Sequence, residues 1–133
     1  MKKVFIDSNV VIYYYTKTEP QKRITAGTLI LNSNITISTQ VLSETCNVLR
    51  KKFKWEWNAI DQIFEELRRL FPAVLVTADT IEKAISLAKK TLYPYYDCLV
   101  LASAIETSCA ILYSEDFQHN QTIEGVRIIN PFL

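Results

Sequence analysis

Short apolar runs alternate along the chain with longer segments whose apolar residues recur every three or four positions. Val4-Phe5-Ile6, Ile35-Thr36-Ile37, Val74-Leu75-Val76, Ala110-Ile111-Leu112-Tyr113 and Val126-Arg127-Ile128-Ile129 read as strands. They are almost continuously apolar, as strands covered on both faces are, because successive strand side chains point to opposite sides. Residues 39–53 place Leu42, Thr45, Cys46, Leu49 and Phe53 on one side of a helix. Residues 56–71 repeat Trp57, Ile60, Phe64, Leu67 and Phe71 at spacings of three and four. Residues 79–91 open with Asp79 and Glu82 in a capping-box-like arrangement and carry Ile81, Ala84, Ile85 and Ala88 as a stripe. Residues 95–108 are apolar on nearly every side, from Cys98 to Ile105, which marks a buried helix with Pro94 at its first turn. Such alternation implies parallel strands joined by right-handed crossovers. The expected fold is α/β, a three-layer α/β/α sandwich with a mostly parallel central sheet of about five strands.

Composition narrows this picture only a little. A chain of 133 residues with 49% hydrophobic and 22% charged positions can bury one core, so residues 1–133 are read as one domain. No repeat, low-complexity tract or linker interrupts it. With 2 glycines, a Gly-rich phosphate loop is excluded. No apolar run approaches the ~18–20 residues needed to span a bilayer. The run after the basic start is too short for a secretory signal, so a cytoplasmic location is expected. Cys46, Cys98 and Cys109 are widely spaced and lack zinc-ligand spacing, so they read as buried reduced thiols. The net charge of +1 provides no global attraction for nucleic acid; any such attraction must be local.

In parallel sheets the functional crevice lies beyond the carboxyl ends of the strands. Asp7 follows the first strand directly, with Ser8 and Asn9 opening the next helix. Ser114, Glu115 and Asp116 follow the strand 110–113 in the same way. Glu44 falls in the second turn of the helix after strand 35–37, beside Val48 at the border of the apolar arc. Asp97 sits in the first turn of the most apolar helix. Singly, Asp7 or Ser8 reads as an N-cap, Asp97 as a first-turn acid, Glu44 as a solvated face and Asp116 as a turn former. Together they form a self-repelling cluster. Two carboxylates about 4 Å apart cost on the order of 4 kcal/mol at an effective dielectric of 20, so protons or a divalent cation must neutralise them. An all-oxygen set beside the amide of Asn9 suits Mg²⁺ or Mn²⁺, and phosphodiester hydrolysis is the chemistry that most needs it. His119 and the scattered cysteines form no competing dyad.

These residues resemble a known family. Val4-Phe5-Ile6-Asp7-Ser8-Asn9-Val10-Val11 is similar to the opening strand and first acidic motif of PIN-domain nucleases. Ser38-Thr39-Gln40-Val41-Leu42-Ser43-Glu44 is similar to their second motif, and Tyr96-Asp97-Cys98 through Ala104 to the third. Leu112-Tyr113-Ser114-Glu115-Asp116-Phe117, followed by Ile129-Asn130-Pro131-Phe132, resembles the fourth motif and the closing strand. The ordered combination spans nearly the whole chain. The resemblance implies Mg²⁺- or Mn²⁺-dependent RNA cleavage leaving a 5′-phosphate and a 3′-hydroxyl. Asp7, Glu44, Asp97 and Asp116 become the catalytic acids and metal ligands, and Asn9 and Ser114 the polar supports. Length and the closing Asn-Pro-Phe further resemble VapC-type toxins of bacterial toxin–antitoxin pairs, which implies a homodimer silenced by an antitoxin. Ser114 stands where Thr is common and Cys98 where Ala is common; both are small, so the acidic site is unaffected.

An acidic pocket that takes RNA needs flanking cations. The run Arg50-Lys51-Lys52-Phe53-Lys54-Trp55 at the end of Glu44's helix is the candidate, with Trp55 or a nearby Tyr as a base-stacking surface. The bland alternative is a helix end whose cations complement the dipole. Tyr13-Tyr14-Tyr15 and Tyr95-Tyr96 read as core and rim packing, and Trp57, Phe64 and Phe71 as core, although an antitoxin groove between the early helices would need some exposed apolar area of this kind. Two rival functions stay open. Asp-x-Asn after the first strand, a Ser ending the second and Ser-Glu-Asp after a late strand echo haloacid-dehalogenase phosphatases. The other rival is a PIN-like module that binds RNA or a partner without cutting.

Overall fold

Val4, Phe5 and Ile6 are all buried, and neighbouring strand residues face opposite sides, so the strand they form is covered on both faces. The computed structural model describes residues 1–133 and supplies that cover. Its elements are β1 (Lys3–Ile6), α1 (Ser8–Tyr15), α2 (Pro20–Leu31), β2 (Asn34–Ser38), α3 (Thr39–Lys51), α4 (Trp57–Leu70), β3 (Ala73–Val74), α5 (Ala78–Lys90), α6 (Tyr95–Glu106), β4 (Ile111–Tyr113), β5 (Thr122–Ile123) and β6 (Val126–Ile129). They build one six-stranded sheet of order β3-β2-β1-β4-β6-β5. All pairs are parallel except β5–β6.

The strand order steps one way from β1 to β3 and then back past β1 to β4. Right-handed crossovers therefore put α1–α4 on one face and the α5–α6 pair on the other. β1 sits where the direction reverses, with Val4 opposite Ile35 of β2 and Ile111 of β4. That reversal opens a crevice at the carboxyl end of β1. Beneath it, Phe5, Ile6, Ile37, Leu101, Leu112 and Ile128 are fully buried, and every residue of α6 from Cys98 to Ala104 is buried.

The expected sandwich is present, with local corrections. The sheet has six strands rather than about five because β5 is a two-residue hairpin partner of β6. Its turn, Glu124 (φ 46°) and Gly125 (φ 85°), lies in the left-handed region, which glycine tolerates and which matches the twist of a tight hairpin. β3 covers Ala73–Val74 rather than 74–76, and the Val76 N–H turns away to donate to Thr39 Oγ1 at 3.2 Å. α5 starts one residue earlier than expected, and its cap is Thr77 with Thr80, not Asp79 with Glu82. Each threonine hydroxyl accepts the other's backbone N–H. α2 escapes the periodicity because only Ala26 and Ile30 are buried, a stripe too thin to recognise. Trp57, expected in the core, is 60% exposed at the start of α4, whereas Ile60 and Leu67 carry that helix's burial. Cys98 and Cys109 are buried and free, but Cys46 is only partly buried.

Because α6 is the central apolar support, Leu101→Ala should cost about 2–5 kcal/mol in urea denaturation. A cost under about 1 kcal/mol would mean that α6 does not carry the core.

Candidate active site

Asp7 directly follows β1 and caps α1. Its carboxylate is 3% exposed, accepts the Ser8 N–H at 2.7 Å through Oδ1 and accepts the Ser114 hydroxyl at 2.8 Å through Oδ2. Ser114, fully buried after β4, also accepts from the Asp116 N–H at 3.1 Å and from Asn9 Nδ2 at 3.2 Å. Asn9 Nδ2 reaches Asp116 Oδ2 as well, at 3.1 Å. One hydroxyl thus joins the ends of β1 and β4 and sets both acids in place. The cap reading of Asp7 is therefore met, and the same carboxylate also faces Ser114 across the two strand ends.

Asp97, in the first turn of α6, completes the convergence. Asp7, Asp97 and Asp116 can each offer an oxygen such that all three lie within 4.8 Å of one another. Glu44 is outside this tight trio. It faces the same cleft, and its Oε1 accepts from Gln40 Nε2 at 2.6 Å. The same Gln40 nitrogen donates to the Tyr96 carbonyl at 3.0 Å, tying α3 to the start of α6. Gln40 is a site residue that the sequence reading missed. The available signal was its spacing of four before Glu44 on one helix face.

No Lys, Arg or His forms an ion pair with any of the four acids. Burial therefore acts unopposed by cations. It raises the Asp7 carboxyl from 3.8 to about 7, against the Ser114 and Ser8 hydrogen bonds and with help from Glu44 and Asp116. Burial, then Asp116 and Glu44, raises Asp97 to about 6. Glu44 is also raised by burial, with the Gln40 hydrogen bond opposing. The donor set is all oxygen, and buried Asn9 Oδ1 lacks a hydrogen-bond partner beside it. Uncompensated carboxylates plus an orphaned amide oxygen fit a hard divalent cation held by Asp7, Asp97 and Asp116.

The basic run divides. Arg50 is engaged locally, donating to the Trp55 carbonyl at 3.0 Å with its guanidinium 5.1 Å from the Trp57 ring centre. Lys51 is exposed, and neither it nor Trp55 lines the acidic cleft; Lys52 and Phe53 do. The haloacid-dehalogenase echo fails on geometry. Ser38 is fully buried as the cap of α3, and Asn9, where a second acid is needed, is a hydrogen-bond donor to Asp116. His119 Nδ1 accepts the Asn130 N–H and takes no part in the site.

The sequence matches the PIN domain family over residues 4–124. No curated protein sequence matches it significantly. Among solved structures it is similar to a toxin–antitoxin complex from Klebsiella pneumoniae, with TM-score 0.70 and 18% identity over 96% of this chain and 97% of that one. It is also similar to VapC20 of Mycobacterium tuberculosis, a sarcin–ricin loop cleaving toxin, with TM-score 0.67 and 19% identity over 82% and 86%. VapBC2 from Rickettsia felis, bound to a DNA fragment from its promoter, gives 0.66 and 17% over 95% and 96%. At these identities the likeness concerns the fold. No helix is long and apolar enough to cross a membrane.

The raised carboxyls fix a sign. A group that holds its proton more tightly when folded stabilises the fold below its unfolded pKa, and that contribution is lost as pH rises through the folded value. Metal-free protein should therefore lose thermal stability between pH 3.8 and about 7. Asp97→Asn should flatten that loss and leave metal-free stability at pH 8 equal or higher. Mn²⁺ at 100 times its pH 8 Kd should restore about 2.7 kcal/mol, roughly 8 °C, at pH 8, and the same concentration should restore less at pH 5, where protons compete for the carboxylates. Thermal melts across this range check all three; a large destabilisation by Asp97→Asn would instead make Asp97 a structural residue.

Proposed function

The chain belongs to the PIN domain family, and on that premise we propose that it is a divalent-metal-dependent endoribonuclease, the toxin of a type II toxin–antitoxin pair. The observation that carries this reading is the convergence of Asp7, Asp97 and Asp116, from three distant segments, with no cation paired to them. Folding such a trio together is costly unless a charged ligand uses it.

In this reading Asp7, Asp97 and Asp116 hold Mg²⁺ or Mn²⁺. The bound ion supplies Lewis acidity to the phosphodiester and lowers the pKa of the attacking water. Ser114 and Asn9 fix the carboxylate orientations through the contacts above. Glu44, kept in place by Gln40 and raised in pKa by burial, is the proton acceptor at the cleft edge. Arg50 and Lys51 are left with local and solvent roles, and Lys52 with RNA.

The proposed antitoxin seat is the apolar groove between α3 and α4, lined by Leu42, Cys46, Phe64, Phe71 and Leu75. Its support is exposed apolar surface: Leu75 is 72% exposed there, with Arg68 at the rim. A homodimer and a cytoplasmic workplace belong to the same proposal and rest on the likeness to VapC-type toxins.

The test is RNA cleavage by purified chain free of co-purifying peptide, with Mg²⁺ varied. Cleavage should vanish in EDTA. Asp97→Asn should lower the rate on the order of 100-fold or more, since the ion's contribution is several kcal/mol. RNA binding without cleavage at any Mg²⁺ or Mn²⁺ concentration would favour the non-cutting module instead.

A further inference from the structure

Glu44 belongs to a row. Gln40, Glu44 and Val48 follow one another at intervals of four on α3, and Lys52, its C-cap, comes four residues later, so they form one inclined ridge that winds slowly around the helix. Glu44, Val48 and Lys52 help to line a cleft of about 330 Å³ whose other lining residues include Asn9, Asp116, Tyr13 and Phe53. Eight residues of helix separate the Cα atoms of Glu44 and Lys52 by about 12 Å, and helical side chains lean toward the N-terminus. Lys52 thus stands on the same wall as Glu44, at its far end from the acids.

Lys52 is also the one cation lining this cleft. Its other acids away from the trio, Glu115 and Glu19, face Lys22, at 3.0 and 3.8 Å. Lys52 forms no ion pair with any of them. Its ammonium lies 5.5 Å from the centre of the Phe53 ring, so cation and aromatic surface occur together on the same wall. That wall is built into the end of α3. Lys54 adopts the left-handed conformation (φ 60°), while the N–H groups of Lys52 and Trp55 donate to Val48 and Leu49 carbonyls at 2.9 and 3.1 Å. On the other side of Glu44 the surface offers Gln40, Ser43, Asn47 and Tyr96 and no cation.

We propose that this cleft is the subsite for the nucleotide adjoining the scissile phosphate of a single-stranded RNA. Lys52 takes that nucleotide's phosphate and Phe53 stacks on its base. The assignment rests on the nuclease reading and adds the direction in which the strand leaves the acids, toward the C-terminal end of α3. Phosphate contact by a lone cation and stacking on an aromatic ring are sequence-tolerant, so this subsite binds the strand without choosing its base.

The experiment measures binding of a labelled single-stranded RNA pool by anisotropy, with Ca²⁺ in place of Mg²⁺, together with cleavage kinetics in Mg²⁺. Lys52→Gln should raise KM about tenfold with kcat unchanged and make the salt slope of binding shallower by about 0.7, one phosphate's share on a single strand. Lys51→Gln should change neither. Phe53→Ala should weaken binding roughly tenfold with the salt slope intact. Phe53→Trp should restore it and Phe53→Leu should not, which separates stacking from packing. Mn²⁺ affinity by calorimetry should be the same in all variants. If wild type cuts RNA but Lys52→Gln behaves like Lys51→Gln, or Phe53→Leu restores binding as well as Trp does, the subsite is wrong and the nuclease reading stands. A wild type that neither binds nor cuts single-stranded RNA overturns both.

Discussion

The structure depends on keeping the Asp7 carboxylate out of water at the end of the central strand. An isolated buried charge is prohibitive, so its oxygens are satisfied by the Ser8 N–H and the Ser114 hydroxyl. Ser114 can be there only if β4 lies beside β1 in the observed register, which the Asp7 N–H to Tyr113 carbonyl bond at 3.0 Å continues past the strand end. The same carboxylate caps α1 and so starts the crossover that brings β2 to the opposite side of β1. Sheet order, helix start and site geometry therefore meet at one residue.

Charge is distributed unequally around that point. Glu115 and Asp116 are neighbours in one loop, yet Glu115 is neutralised by Lys22 at 3.0 Å and also accepts the Tyr13 hydroxyl at 2.6 Å. Asp116 receives only the neutral amide of Asn9 and stays available to the trio. Lys22 also lies over the Tyr13 and Phe132 rings, so the chain's end helps to hold this cation. A loop that pairs one acid and leaves the next unpaired leaves net negative charge where three segments meet, and a divalent cation is what such a place suits.

Much of this was legible in the residues. Strand-end placement located Asp7 and Asp116, and the all-round apolar character of residues 98–105 marked α6 as the buried support that carries Asp97. What periodicity could not supply were the features set by tertiary contact. The thin buried stripe of α2 falls below recognition, and β5 exists only because β6 pairs with it. Spacing along the chain does not show that Glu44 lies outside the tight trio, nor that Gln40 joins it to the start of α6. Arg50, Lys51 and Lys52 are equivalent as letters. A helix turns them by about 100° each, so only Lys52 faces the cleft.

The central claim is that Asp7, Asp97 and Asp116 are held together to bind one class of ion. A crystal of the full chain soaked in Mn²⁺ at pH 8, read by anomalous scattering, tests it directly. The account predicts a peak within coordination distance, about 2.0–2.3 Å, of oxygens from these three residues, lost in Asp97→Asn. Saturating Mn²⁺ with no peak there, and carboxyls sharing protons in its place, would contradict it.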